Sequence, residues 1–482
     1  MGPFEIALIA LGGALVLFFA VVLIRAIRFK PLPEPKIDDT PVSFDAERSV
    51  SCLASLVRCK TVSYRDASLE DDAEFEKLIA LLPSLYPHVF EKCSFERLDG
   101  RALLFRWQGK SADAPTVLMA HYDVVPVNED LWDAPPFAGE IKDGRLWGRG
   151  TLDTKVTFHG ALFAADTLIA EGFVPEKDIY FAFSGGEEVS GPGASHIVDL
   201  FEARGIEPGC VLDEGGAVVE GVFPGVSRPC GLIGIAEKGM IDLAYTVKSN
   251  GGHASAPKPN APVDRLARAV SRVLDNPTKL RLTAPVAEMF DTLGRHSSFL
   301  YRVIFANLRL FLPVLDMICK KGGGEMNALL RTTVAFTQMK GSAASNVIPP
   351  EATVVSNIRI NPAENVDSVC AHIAKAIGDE SVTLSVLDSQ NPSRISRTDT
   401  DGFARVASAV ASTWRGAIVS PYLMVQCSDS RHWGRISDRV YRFSAMDLTS
   451  AERASIHGNN ESIRLDALSR TVEFYLRLIR GC

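Results

Sequence analysis

The sequence has no C-x-x-C pair, and its nine cysteines are scattered and odd in number. A disulfide framework and a zinc–thiolate site are thereby set aside, and most of these thiols read as small core residues. No G-x-S-x-G elbow and no paired Cys–His motif occurs, so serine and cysteine hydrolase chemistry lacks its signature. Positive charge is not in excess. The 51 Lys and Arg face 58 Asp and Glu, a net −7, so nothing electrostatic calls for nucleic acid. There is no internal repeat and no low-complexity tract, which sets aside solenoids and disordered arrays.

What is present is globular in composition, 46% hydrophobic and 23% charged, and 482 residues exceed one ordinary core. Two domains are expected, one inserted in the other. Residues 6–23, "IALIALGGALVLFFAVVL", are uncharged and apolar. About 20 such residues cross a bilayer as a helix. A signal peptide would begin with a basic region and end at small residues. Here the only early charge is Glu5 and no such cleavage site follows, so the run is read as a retained anchor. Arg25, Arg28 and Lys30 follow it, and the positive-inside rule then puts the rest of the chain on the cytoplasmic face. Residues 1–40 thus comprise the anchor and a Pro-rich linker, "FKPLPEPKIDDTP".

From about residue 41 helical and strand patterns alternate. "DAERSVSCLASLVRC" places Val50, Leu53, Leu56 and Val57 at helical spacing, while "PTVLMA", "IYFAF" and "GCVLD" are short apolar runs of strand length. Such alternation predicts an α/β domain around a mostly parallel, buried sheet. The texture changes at residue 237. Half-exposed strands and two helices then follow in the order β-α-β-β-α-β, a small split α+β domain over 237–388. It carries a helical insertion at about 280–327, including "SSFLYRVIFANLRLFLPVLDMICKK". That piece is read first as a buried helix pair at a domain or subunit contact, and otherwise as an apolar channel or membrane-facing patch. The first texture returns over 389–482, so the first domain comprises 41–236 and 389–482.

In α/β sheets, sites form beyond the carboxyl ends of the strands. There "PTVLMA" runs into His121 and Asp123, "IYFAF" into Glu187 and Glu188, and "GCVL" into Asp213, while Asp153 opens a helix. So many carboxylates meet only around positive charge, and imidazole plus carboxylate suits Zn²⁺, with Mn²⁺ or Co²⁺ as alternatives. Two metals about 3.5–4 Å apart share a bridging carboxylate, and Asp153 is central enough in order to be one. His121 and Asp123, two apart, face the same way in an extended segment, so Asp123 can fix the imidazole tautomer. Adjacent glutamates project differently, so one can bind metal while the other accepts a proton as general base.

These motifs, with "MAHYDVVP", "GRGTLDTK", "SGGEEVSG", "LDEGG", "GGHAS", "NVIPPEA", "CSDSR" and "IHGNNESI" in order, resemble the M20 metallopeptidases and aminoacylases, from about residue 43 to the end. Within them "AHYDVVPV", "WDAPPFAG" and "GRGTLD" look most like the carboxypeptidase S and N-fatty-acyl-amino-acid synthase/hydrolase group. The resemblance implies a zinc-peptidase-like catalytic domain and a lid that also dimerises. It implies two zinc ions held by His121, Asp153, Glu188, Asp213 and His457, with Asp153 bridging. Glu187 would be the base and Asp123 the support of His121. The Asp153–Thr154 peptide would be cis. His253 would reach across a homodimer to polarise the scissile carbonyl. Asn346 and Arg359 would meet the substrate's carbonyl and carboxylate, with Lys238 and Arg431 as further candidates. His159, His196 and His432 are read as structural. Gln426 and Cys427 stand where glycines are common in the family, a departure that bears on the pocket.

The activity implied is metal-dependent cleavage of the amide to a C-terminal amino acid, in N-fatty-acyl amino acids or small peptides. The same catalyst can condense fatty acid and amino acid where water is scarce. A carboxypeptidase acting on short peptides, with a structural insertion, is the alternative. A non-catalytic membrane binding protein on the same fold would lack a ligand or the base, and neither is missing.

Overall fold

The computed structural model describes residues 2–482. Its main sheet has eight strands in the order Ser94–Leu98, Ala102–Trp107, Lys177–Ser184, Ser111–His121, Cys210–Val219, Val440–Leu448, Cys230–Glu237 and Ile418–Met424. The sheet is mixed. Ser111–His121 pairs in parallel with both neighbours, whereas the edge hairpin Ser94–Trp107 joins antiparallel. Side chains alternate cleanly. Ile179, Phe181 and Phe183 point into one core, Tyr180 and Ala182 into another on the opposite face. Both faces are therefore covered, which is why these strands read as unbroken apolar runs.

One face carries the helices Lys155–Ala170, Asp401–Thr413 and Leu465–Arg480. Lys155–Ala170 is buried on nearly every side. Gly160 lets it approach the C-terminal helix, because a Cβ there would come within 2.8 Å of Thr471 and 2.9 Å of Tyr475. The helix Gly193–Arg204 and the 3₁₀ segment Asp429–Arg435 cover the other face.

The chain leaves this domain through Gly239–Lys248, the third strand of a four-stranded antiparallel sheet ordered Thr333–Lys340, Glu351–Ile360, Gly239–Lys248 and Thr383–Gln390. Ile241, Leu243, Tyr245 and Val247 pack beneath the helices Pro262–Asp275 and Val366–Ile377. A two-residue ribbon pairs Gly252–His253 with Val347–Ile348.

The insertion comprises four helices. Ala284–His296 is anchored by Val286, Met289, Phe290 and Leu293 in a core shared with Ile418–Met424. The next two differ from the buried pair expected first. Phe299–Ala306 buries no residue fully, and Leu308–Gly322 only Cys319. Gly324–Leu330 returns to the core. At the N-terminus Pro3–Arg28 forms one helix, long and apolar enough to cross a membrane, and it buries only Val22 and Ala26.

Candidate metal centre and active site

Five segments converge at the carboxyl edge of the main sheet. Ser111–His121 ends in His121, and Asp123 follows. Asp153 precedes the buried helix, across a cis Asp153–Thr154 peptide. Glu187 and Glu188 open a 3₁₀ turn after Lys177–Ser184. Glu214 lies within Cys210–Val219, and His457 follows the short helix Ser450–Ser455.

Distances sort these groups into two trios that share Asp153. His121 Nε2 lies 3.1 Å from Asp153 Oδ1 and 3.3 Å from Glu214 Oε1. His457 Nε2 lies 2.9 Å from Asp153 Oδ2 and 3.1 Å from Glu188 Oε2. Each oxygen of Asp153 thus faces a different imidazole. His121, Glu187 and Glu214 also place one donor atom each within 4.8 Å of one another. Asp123 sits beneath. Its carboxylate accepts from the backbone N–H of Glu187 (3.1 Å) and of Glu188 (3.2 Å), while His121 Nδ1 lies 3.0 Å from its backbone oxygen. One buried residue therefore holds both glutamates through its carboxylate and supports the histidine through its backbone oxygen.

The electrostatics suit divalent cations. Burial pushes Glu214 up to about 8, and burial likewise raises Glu187 well above the ordinary carboxylate range. Asp153 goes the other way. Burial would raise it, but its hydrogen bonds with His121 and His457 hold it well below its usual value. Those with Asp153 and Glu188 hold His457 up at about 10. The carboxylates thus demand positive charge, and Glu188 Oε1 is buried without a hydrogen-bond partner. A donor set of imidazoles and carboxylates with a free buried oxygen fits Zn²⁺-like ions.

The remaining expected site residues belong to neither trio. Asp213 Oδ2 accepts from the backbone N–H of Ser430 at 2.8 Å, and Asp213 belongs to neither trio. The reason is the strand. It continues to Val219 through Gly215, at φ +141°, and Gly216, where a Cβ would strike Leu232 O. Neighbours within it face opposite ways, so Asp213 shares the side of Val211 and Trp433 while Glu214 turns to the histidines. Lys238 is fully buried, and its three donors are used by Ala328 O, Arg331 O and Thr333 Oγ1. Arg359 Nη1 donates to Cys427 Sγ, and Arg431 stays near Asp429 and Ser428 O. His253 is exposed on the two-residue ribbon of the inserted domain beside Asn346, whose carbonyl accepts from Ala254 N–H. His159 is buried between Ser49 Oγ and Tyr86 OH, and burial pushes it down to about 3. His196 Nδ1 meets Asp99 O, and burial lowers His432 to about 4.

Two features were missed by reading the sequence. Glu214 is one, and its adjacency to Asp213 repeats the Glu187–Glu188 pattern that drew attention elsewhere. The other is the buried ion pair of Arg149 and Glu461. Glu461 Oε1 accepts from the backbone N–H of Leu152 (2.7 Å) and Asp153 (3.2 Å), and Arg149 Nη2 donates to Gly458 O at 2.7 Å. The pair therefore ties the Asp153 loop to the His457 loop. Both residues stand inside quoted motifs, "GRGTLDTK" and "IHGNNESI", where spacing alone says nothing of their partnership.

A cavity of about 630 Å³ opens on the centre. One end holds Asp153, Glu187, Glu188, Glu214 and His457. Its other walls include Leu232, Tyr422, Met424, Val425 and Met446, with Gln426 and Cys427 at the side.

Known proteins resemble the chain in sequence and in fold. The N-fatty-acyl-amino acid synthase/hydrolase PM20D1 of Xenopus tropicalis is 37% identical over 445 residues, covering 91% of this chain and 86% of that protein. A probable carboxypeptidase S-like 2 of Dictyostelium discoideum is 32% identical over 495 residues, covering 99% and 94%. Among solved structures, an M20 family metallo-carboxypeptidase from Sulfolobus solfataricus superposes with a TM-score of 0.66 at 16% identity, covering 90% of this chain and 98% of that one, and so shares the fold. Residues 117–481 match the pattern of peptidase family M20/M25/M40, and the chain belongs to that family as a metal-dependent hydrolase.

Proposed function

We propose that this enzyme hydrolyses the amide joining a long apolar acyl group to an amino acid. The observation that carries the reading is the cavity, charged at one end and walled by Leu232, Tyr422, Met424, Val425 and Met446 elsewhere. An acyl chain matches such walls, where burial is worth about 25 cal/mol per Å² of apolar surface. The name of the Xenopus relative supports the same substrate class, and that of the Dictyostelium relative supports short peptides instead.

In this reading His121, Asp153 and Glu214 hold one cation, and Asp153, Glu188 and His457 the other, with zinc the ion the donors suit. Such ions polarise a carbonyl and lower the pKa of water. Glu187, in neither trio, accepts the proton as water oxygen bonds to the amide carbon. It returns that proton to nitrogen as the C–N bond breaks, releasing the free amino acid and the fatty acid. Asp123 keeps Glu187 in place through the backbone hydrogen bond of the turn.

The test is amino-acid release by zinc-loaded, detergent-solubilised protein from a long-chain N-acyl phenylalanine and from a blocked dipeptide ending in phenylalanine. Faster release from the acyl substrate is expected. Faster release from the dipeptide would make the enzyme a carboxypeptidase.

The donor set has its own check. Glu214→Gln is expected to lose about one of two bound metals at a concentration that saturates the parent, because even loss of a group that only supports a ligand weakens a site about 10–100-fold. Asp213→Asn keeps both, since its carboxylate faces Ser430. Metal content by plasma mass spectrometry decides, and the opposite pattern would return the ligand role to Asp213.

A further inference from the structure

The helices Phe299–Ala306 and Leu308–Gly322 turn a continuous apolar face outward. Along Leu308–Gly322 the exposed residues Leu310, Val314, Met317 and Ile318 follow i, i+4, i+7 and i+8, one stripe of a helix. Phe299 and Leu300 extend it on the neighbouring helix, Leu300 at 73% exposure. The opposite side of Leu308–Gly322 is already spoken for, with Leu308, Leu315 and Cys319 in the core. A helix that buries one face and presents a second apolar face has two apolar neighbours, and the protein supplies only one of them.

The second neighbour is indicated by the N-terminal helix. Its only buried residues, Val22 and Ala26, lie toward its C-terminal end, which packs on Phe299–Ala306. Asn307 Nδ2 donates to Val22 O at 3.1 Å, Arg295 donates to Lys30 O at 2.9 Å, and Arg295 stacks on Phe29 at 4.5 Å. Val22 lies about 9 Å along the helix from Arg28, at 1.5 Å per residue. Helices that lie in the plane of a membrane sink about 5–10 Å into the headgroup boundary. With Pro3–Arg28 across a bilayer, the docked helices would therefore sit at interfacial depth. Exposed Arg309, Lys320 and Lys321 border the apolar stripe, as they would to reach lipid phosphates.

We infer that the outward face of Phe299–Ala306 and Leu308–Gly322 is a second membrane contact, a surface immersed in the lipid interface beside the anchor. It rests on reading Pro3–Arg28 as a membrane helix. The chain continues directly from this face into Gly324, Glu325 and Ala328, which line the catalytic cavity, so the contact holds the cavity wall against the bilayer.

The test uses the full chain reconstituted in phosphatidylcholine vesicles containing nitroxide-labelled lipid. An environment-sensitive fluorophore is attached in turn to Leu17→Cys in the anchor, Met317→Cys on the face and Glu380→Cys on the lid. The unsubstituted chain serves as blank for native thiols. Loss of fluorescence at 17 and 317 but not at 380 is the expected result. Loss at 17 alone overturns the contact and leaves the anchor standing. Loss at 317 without 17 removes the anchor and overturns the proposal with it, because the contact is placed beside that helix. No loss at either site overturns both, and loss at all three alike overturns a specific contact. In unlabelled Met317→Cys protein exposed to oxygen, a disulfide between the 317 positions of two copies, with no quenching in the labelled protein, would assign the face to a second copy and overturn the proposal.

Discussion

Glu187→Gln is expected to lower amide hydrolysis by about 10²–10⁴-fold, the range a positioned general base contributes, while metal content stays at the parent level. The substitution keeps shape and removes only the proton acceptor. The backbone hydrogen bond from residue 187 to Asp123 Oδ1 is untouched, so the turn that also carries Glu188 remains in place. Glu188→Gln is the companion, because Glu188 Oε2 faces His457 and its other oxygen is unpartnered. That variant should lose metal along with activity. Turnover measured beside metal content separates the two roles. Metal loss in Glu187→Gln equal to that in Glu188→Gln would mean that the glutamates are assigned the wrong way round. Glu187 does come within 4.8 Å of His121 and Glu214, so the comparison is a real one.

The parts of the site legible in the sequence were those at the ends of short, fully apolar runs. Residues 179–183 end in two glycines and two acids, and a buried strand has no other reason to stop on charge. His121 follows the same logic, whereas Asp153 stands just before a helix. His457 does not follow it either. It follows a six-residue helix, and only the resemblance of "IHGNNESI" to a known motif marked it. Glu214 is hidden because "GCVLD" reads as a strand ending at its acid. The strand runs on through two glycines whose permissiveness resembles a turn signal, and a shift of one residue in a strand reverses the facing of every side chain. Lys238 illustrates a different limit. The family resemblance alone offers it as a substrate contact, and carbonyls from distant residues take up its donors. The order of strands and helices in the inserted domain was legible because its half-exposed strands alternate while the main sheet's do not. The insertion was the least legible part. Apolar spacing reports that a face avoids water, and protein core and lipid satisfy it equally.

Glu461→Leu is expected to destabilise the protein by about 3–5 kcal/mol, the cost of leaving a buried charge without its partner. Arg149 is 2% exposed and Glu461 fully buried, so neither charge can turn to water. The double variant Arg149→Met, Glu461→Leu removes both charges, and apolar replacement of a buried pair is often near neutral, so most of the stability should return. Metal retention should not return with it. The backbone N–H groups of Leu152 and Asp153 lose their acceptor in both variants, and Gly458 O loses its donor in the double. Asp153 and His457 then stand on loops joined only through the backbone, by Gly148 N–H on residue 461 O and the pairing of Arg145–Trp147 with Ser462–Arg464, and a misplaced supporting group typically weakens metal affinity about 10–100-fold. Urea unfolding of the metal-free proteins, with a zinc titration of each, separates the two effects. If the double variant recovered zinc affinity along with stability, the pair would be a folding element that merely lies near the centre. Recovery of stability alone would mean that the ion pair is kept because it places the shared aspartate opposite the last histidine.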